Sequence, residues 1–286
     1  MAPTVTARLL ASCPDQPGII AAATGFVAGH GGNIIDLQQH TDHTDGAFFL
    51  RLEVELDGFD VGRDEIAAAF TPVAERFSMQ WRLGFSDHCT RIGLLASRQA
   101  HCVHDLLHRW REGELSVEIP VLISNHPDHA ASAEWFGVEF HHLPIARGDK
   151  ASQEAQVRQV LRDHDVELVV LARYMQILSP AFCAEWPARI INIHHSFLPS
   201  FQGARPYDQA HRRGVKLIGA TAHYATAVLN VGPIIDQDVI RVSHRDDLED
   251  LRRKGRDLEV VVLARAVHAH VDDRTLAYGR RTVVFD

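Results

Sequence analysis

Residues 190–206 read I-I-N-I-H-H-S-F-L-P-S-F-Q-G-A-R-P, an apolar, β-branched start that turns abruptly polar. Upstream, V-E-L-V-V-L-A at 166–172 is a second apolar run, and 189–193 is the strand that feeds the polar stretch. Short apolar runs bounded by breakers suit parallel strands covered on both faces. Asn192, His194 and His195 then fall at a strand's carboxyl end, before a loop punctuated by Pro199, Gly203 and Pro206. Ligands of open α/β sheets bind outside that end. Asn192 and His194, two residues apart on an extended strand, project to the same side. An amide and an imidazole so placed can donate hydrogen bonds to a developing oxyanion and move one proton. An isolated N-x-H does no more than cap a strand end, so the reading depends on the rest of the chain.

The chain has 286 residues, 46% of them hydrophobic, enough for a large core and one to three domains. A net charge of −8 without a basic patch argues against a nucleic-acid partner. The 19 histidines are scattered, and neither H-E-x-x-H nor C-x-x-C occurs, so no dedicated metal site is expected. The cysteines at 13, 89, 102 and 183 form no disulfide framework, which suits a reducing compartment. No export signal or apolar run of membrane length is present. These features predict a soluble cytoplasmic protein with no membrane partner.

Taken in order, 5–13 reads as a strand, and Pro14 to Gly18 as a turn in which Asp15 can cap the following helix, 19–30. Gly31-Gly32 stops that helix. Residues 33–41 and 47–56 alternate as a hairpin, 64–77 makes a second helix, and 79–84 a closing strand. This order predicts a ferredoxin-like α+β sandwich over residues 1–85. The words C-P-D-Q-P-G-I-I-A and H-G-G-N-I-I-D resemble an ACT domain, a module that often binds amino acids at a subunit interface. On that resemblance Asp15, Gly18 and Asn33 are candidate effector residues. The same residues serve turn geometry in a plain dimerisation platform, and both readings stand.

From residue 90 to 286, after a short polar connector, strands alternate with helices: 91–97, 118–124, 140–143 and 166–172 are strands, with helices at 102–112, 132–136 and 151–164. Such alternation predicts a doubly wound, mostly parallel α/β sheet. The first strand–helix junction, Ser97-Arg98-Gln99-Ala100-His101, contains no glycine. A phosphate cradle needs glycines so that backbone N–H groups can close on the anion. The junction therefore argues against a nucleotide ligand.

This second region resembles the folate-dependent formyltransferase fold of glycinamide ribonucleotide transformylase. The words that carry the resemblance are W-R-E-G-E-L-S-V-E-I-P (110–120), I-S-N-H-P-D (123–128), L-A-R-Y-M-Q-I-L-S-P (171–180), I-I-N-I-H-H-S-F-L-P-S-F (190–201), R-G-V-K-L-I-G-A-T-A-H-Y (213–224) and G-P-I-I-D-Q-D-V (232–239). With the ACT-like start, the whole chain is similar to the formyltetrahydrofolate deformylase family. Those transformylases carry a glycine-rich phosphate loop at the Ser97 junction, which a hydrolase does not require.

The resemblance implies 10-formyltetrahydrofolate as substrate, tetrahydrofolate and formate as products, and no permanently bound cofactor. It places Asn192 and a protonated His194 at the oxyanion, His223 in support, and the pterin against Arg173, Tyr174, Met175, Ile177 and Leu178, with Gly232 nearby. His195 is expected to face away. The family's catalytic aspartate, within L-D-x-G-P, is Asn230 here, and Ala227 and Val228 stand where the family is usually acidic. An amide has nearly the carboxylate's shape but cannot accept a proton, and loss of a positioned base costs roughly 10²–10⁴ in rate. Hydrolysis, slowed by Asn230, is therefore the leading expectation. The alternatives are formyl transfer to an amine acceptor and a catalytically weak folate- or amino-acid-binding regulator. Asn192, His194, His223 and Asn230 are expected in one hydrogen-bonded cluster. The exposed edge of a small sandwich predicts a homo-oligomer, dimer or tetramer.

Overall fold

The computed structural model describes residues 4–146, 149–200 and 205–286, so Gly203 lies outside the described residues. Two compact units form: residues up to His88 together with 272–276 and 283–286, and residues 89–271 with 277–282.

The first unit runs β1 (Thr6–Pro14), α1 (Ile19–Gly29), β2 (Asn33–Asp42), β3 (Ala47–Glu55), α2 (Ile66–Arg76) and β4 (Gln80–Phe85). Its sheet has the order β2-β3-β1-β4 with every pairing antiparallel, the ferredoxin-like sandwich that the pattern predicts. Leu9, Ala11 and Cys13 of β1 and Phe48, Leu50, Leu52 and Val54 of β3 alternate onto one face. Ile19, Ala23 and Val27, spaced by four, lay α1 on that face, and Phe70 and Ala74 do the same for α2. Asp15 does not cap α1. The N-cap is Gly18, at φ 94°, where no side chain caps, and the Asp15 backbone N–H instead donates to Gly46 O at 2.8 Å. The carboxyl-terminal segments are tied in by Arg51 Nε, which donates to Asp273 O at 3.1 Å, and by the Asp286 N–H on Gln38 Oε1 at 2.9 Å.

The second unit runs β5 (Thr90–Ala96), α3 (His101–Arg111), β6 (Val117–Ser124), α4 (Ala130–Phe136), β7 (Glu139–His142), α5 (Lys150–Asp163), β8 (Leu168–Leu171), α6 (Pro180–Glu185), β9 (Ile190–His194), α7 (Pro206–Arg213), β10 (Leu217–Tyr224), β11 (Ile234–Arg241) and α8 (Leu248–Val271). A hairpin of β12 (Thr275–Tyr278) and β13 (Arg281–Val284) ends the chain. The large sheet has the order β11-β10-β9-β8-β5-β6-β7. Its five strands β7, β6, β5, β8 and β9 are parallel, whereas β10 runs antiparallel to both β9 and β11. Alternate side chains of each parallel strand bury in two separate cores. Leu94, Leu122, Leu168 and Val170 meet α3 and α8, while Leu95, Val121, Ile123 and Val169 meet α5 and α6. Burying each such side chain contributes roughly 1.5–3 kcal/mol. Double coverage is why these strands read as unbroken apolar runs. Among the described residues no helix is long and apolar enough to cross a membrane.

Candidate active site

On β9, Ile190 faces the core against α5 and α6, while Ile191 and Ile193 face the other. Alternation therefore puts Asn192 and His194 on the Ile190 side, beyond the end of that core. A cleft of about 320 Å³ opens there. Its walls include Asn192, His194, His223, Asn230 and the whole of 173–178, so the expected constellation shares one cavity.

Asn192 and His223 are direct partners across the antiparallel β9–β10 pair. His223 Nδ1 lies 3.0 Å from Tyr224 O, an acceptor, so Nδ1 carries the ring proton. Nε2 is then a lone pair, and it accepts from Asn192 Nδ2 at 3.1 Å. This orients the amide and leaves its second N–H for a ligand. Gly232 does not line the cleft as expected. A Cβ built there would overlap Tyr224 O, so only glycine lets the 230–233 segment pass behind the carbonyl that orients His223.

The hydrogen-bonded cluster is smaller than expected: the Asn192–His223 pair extends to neither His194 nor Asn230. His194 is 7% exposed and its Nε2 is buried with no hydrogen-bond partner among the described residues. Such an atom costs about 1–3 kcal/mol, and it is the kind of exception that marks a functional site. Burial, helped by the neighbouring His223 and Arg173, pushes His194 down to about 4. Burial therefore favours the neutral imidazole at pH 7, where the resemblance implies a protonated one. His195 does not face away. It lines the same cleft with its ring 5.2 Å from that of His194, and burial, then Arg173, pushes it down to about 3.

Asn230 sits at φ 58°, in the left-handed region that asparagine and aspartate enter more readily than other side chains. Beside it Val228 and Leu229 are exposed, and Leu229 lines the cleft together with the exposed Met175 and Ile177. Tyr174 is buried with its hydroxyl accepting from Gln153 Nε2 at 3.1 Å, and Leu178 packs partly onto the α5–α6 core.

Arg173 is buried at φ 63°, with Nε 2.8 Å from Gln99 Oε1 and 3.2 Å from Glu259 Oε2. Glu259 of α8, itself almost fully buried, also meets His101 Nε2 and the Tyr207 hydroxyl, each at 2.7 Å. Ser97 Oγ donates to Asn125 at 2.8 Å and accepts from the Met175 N–H at 3.0 Å. The glycine-free junction is thus knitted to the cleft floor by the side chains of Ser97, Gln99 and His101.

The formyl transferase family matches residues 90–267 and the ACT domain residues 7–71. A formyltetrahydrofolate deformylase of Synechocystis sp. is 55% identical over 98% of this chain and 99% of its own length. The chain belongs to the formyltetrahydrofolate deformylase family. A formyltetrahydrofolate deformylase structure from Pseudomonas syringae pv. tomato, 49% identical, superposes with a TM-score of 0.98 over 100% of this chain and 96% of that one. A glycinamide ribonucleotide transformylase from Symbiobacterium toebii, 33% identical, reaches 0.68 over 72% of this chain and 98% of that one.

Three residues considered for an effector in this deformylase-family chain are not brought together within one copy. Gly18 and the exposed Asp15 follow the end of β1, where Pro14 pairs with Ala47, whereas Asn33 pairs with Glu55 at the far end of β3. Eight residues of strand separate those ends by about 27 Å. The Asn33 amide is moreover occupied by Glu55 Oε2 at 2.7 Å. Glu259, Leu171, Ala225 and Thr226 complete or support the cleft without having been singled out in sequence. Leu171 opens the L-A-R-Y-M-Q-I-L-S-P word and the T-A-H-Y word directly precedes Ala225, but neither word singles those residues out.

Proposed function

We propose that the chain hydrolyses the N10-formyl group of 10-formyltetrahydrofolate, giving tetrahydrofolate and formate. The observation that carries this reading is the buried His194, its Nε2 without a partner among the described residues, in one cleft with an Asn192 amide already fixed by His223. The pterin lies against 173–178, where an apolar wall and backbone polar groups suit a flat heterocycle. The second Asn192 N–H donates to the formyl oxygen as charge develops there. His194 takes a proton from the attacking water and returns it to N10 as the C–N bond breaks. Protons balance, and His194 ends neutral as it began. Asn230 supplies no base, so the rate is lower than a carboxylate at that position would give.

The Ser97 junction favours water over a phosphorylated acceptor. Its side chains are committed to Arg173, Glu259 and Asn125, and no glycine frees the backbone to cradle a phosphate. An unphosphorylated amine is the second reading, favoured by the uncharged Asn230 and the apolar Leu229 beside it in the cleft. Residues 90–286 are read as the catalytic region and 1–85 as a regulatory and oligomerisation module. An amino-acid effector touching Asp15, Gly18 and Asn33 together would lie between two copies.

Incubating the purified protein with 10-formyltetrahydrofolate, with and without candidate amines, tests the assignment. Formate released at the same rate without acceptor is the expected result. Turnover that requires an amine would replace hydrolysis by transfer, and binding without turnover would leave a regulator.

A further inference from the structure

We propose that Glu139, His141 and His164, none of which lines the cleft, form a binding site for a divalent cation of the zinc class at the edge of the large sheet. Glu139 and His141 stand two apart on β7 and so share a face. His164 ends α5. Glu139 Oε1 lies 2.7 Å from His141 Nε2, and Oε2 lies 3.1 Å from His164 Nε2. All three donor atoms fall within 4.8 Å of one another.

The proton on His164 is located by its other nitrogen. Nδ1 is 2.8 Å from Val160 O, which can only accept, so Nδ1 holds the hydrogen. In the neutral ring Nε2 is then a lone pair facing a carboxylate oxygen. Two lone pairs at that separation repel unless positive charge lies between them, and either a proton or a metal ion can supply it. An imidazole whose far N–H is tied to a backbone carbonyl is the usual arrangement of a histidine metal ligand. Two imidazoles and one carboxylate, with a fourth position left to water, make a donor set that zinc prefers. Among the described residues β7 is the edge strand beside β6, and the ion would also clamp it to the end of α5.

The second group with metal-binding donors, His101, Cys102 and Glu259, is already satisfied: Glu259 takes His101, Tyr207 and Arg173, and burial holds the Cys102 thiol well above its usual range.

The full-length protein, stripped with a chelator and returned to neutral pH, is titrated with Zn²⁺ by calorimetry and melted with and without the ion. One Zn²⁺ per chain and a raised Tm are expected, with Mg²⁺ producing neither. His141→Ala/His164→Ala should weaken binding by at least about tenfold and remove the Tm shift. Glu139→Gln, which keeps the shape of the site, should weaken it as well. The metal-free Tm of each variant reports whether it folds. No binding by the parent at millimolar Zn²⁺, or undiminished binding by the folded double variant, overturns the proposal.

Discussion

Asn192 Nδ2 stands 3.1 Å from His223 Nε2 across directly paired strands, and that contact decides which way the amide points. Because His223 is held by Tyr224 O, the amide is oriented before substrate arrives, and pre-oriented donors are where electrostatic catalysis is strongest. Asn192→Ala should lower the rate of formate release about 10²–10³-fold. Asn192 is only half-buried, so the Tm should move little. Parent-like turnover by a folded Asn192→Ala variant would remove the amide from the mechanism.

Burial gives the pH dependence its sign. His194, His195 and His223 all bind protons more weakly in the folded chain than in the unfolded one, where histidine titrates near 6.5. Between pH 6.5 and about 4 the unfolded state therefore holds more protons. Stability is fully present above 6.5 and is lost as pH falls through that window, by on the order of 3 kcal/mol for His194 alone. Urea midpoints at pH 7.5, 6.5 and 5.5 should fall in that order, and less steeply in a folded His194→Asn variant. Activity should hold down to pH 6, since the working imidazole is the neutral one. A rate that rises as pH drops from 7 to 5 would instead mean that the imidazolium is the active form.

What the sequence revealed and what it hid follow from the range of each interaction. Strands such as Leu168–Leu171 were legible because burial on both faces leaves a continuous apolar run. The place of Asn192 and His194 was legible because the carboxyl end of a parallel strand is a cleft by geometry, whereas the 173–178 segment came from the family resemblance alone. His195 was misread because the alternation used to turn it away stops with β9 at His194. The resemblance set Gly232 beside the ligand, and nothing local in the sequence marks its close approach to Tyr224 O. Glu259 lies on a long helix whose pattern is that of core, and nothing local marks it as the partner of Arg173. The grouping of 272–276 and 283–286 with the first unit has no local pattern at all.

Gly232→Ala tests the reading of that residue as a spacer. An added methyl must displace the backbone at Tyr224 O, and thereby the acceptor that holds His223 Nδ1. Overpacking of this kind costs typically about 1–3 kcal/mol. Both Tm and turnover should fall. A variant with parent-like stability and a raised KM alone would return Gly232 to the substrate-binding surface.

The ACT-like unit should bring copies together. β2 is a ten-residue edge strand with Ile35 exposed, and long open edges with apolar side chains invite pairing. Light scattering at micromolar protein is expected to give a dimer or tetramer. A mass near the 31.9 kDa of one chain would rule this out.

Asn230→Asp bears most directly on the activity. The residue lines the cleft with His194, and its left-handed backbone is one that aspartate also accepts, so the change is nearly isosteric and adds no backbone strain. A carboxylate there would raise the His194 pKa from its depressed value and could itself accept the proton from water. Formate release should rise by about tenfold or more, with the acid limb of the pH profile moving upward. Asn230 is half-buried at the cleft wall, so the new charge keeps solvent and the Tm should hold. A drop in Tm would expose an unpaired buried charge. If the variant folds, binds substrate and hydrolyses it no faster, Asn230 does not stand in for a missing base. The site then serves an amine acceptor or binding alone, and the acceptor-dependent assay decides between those two.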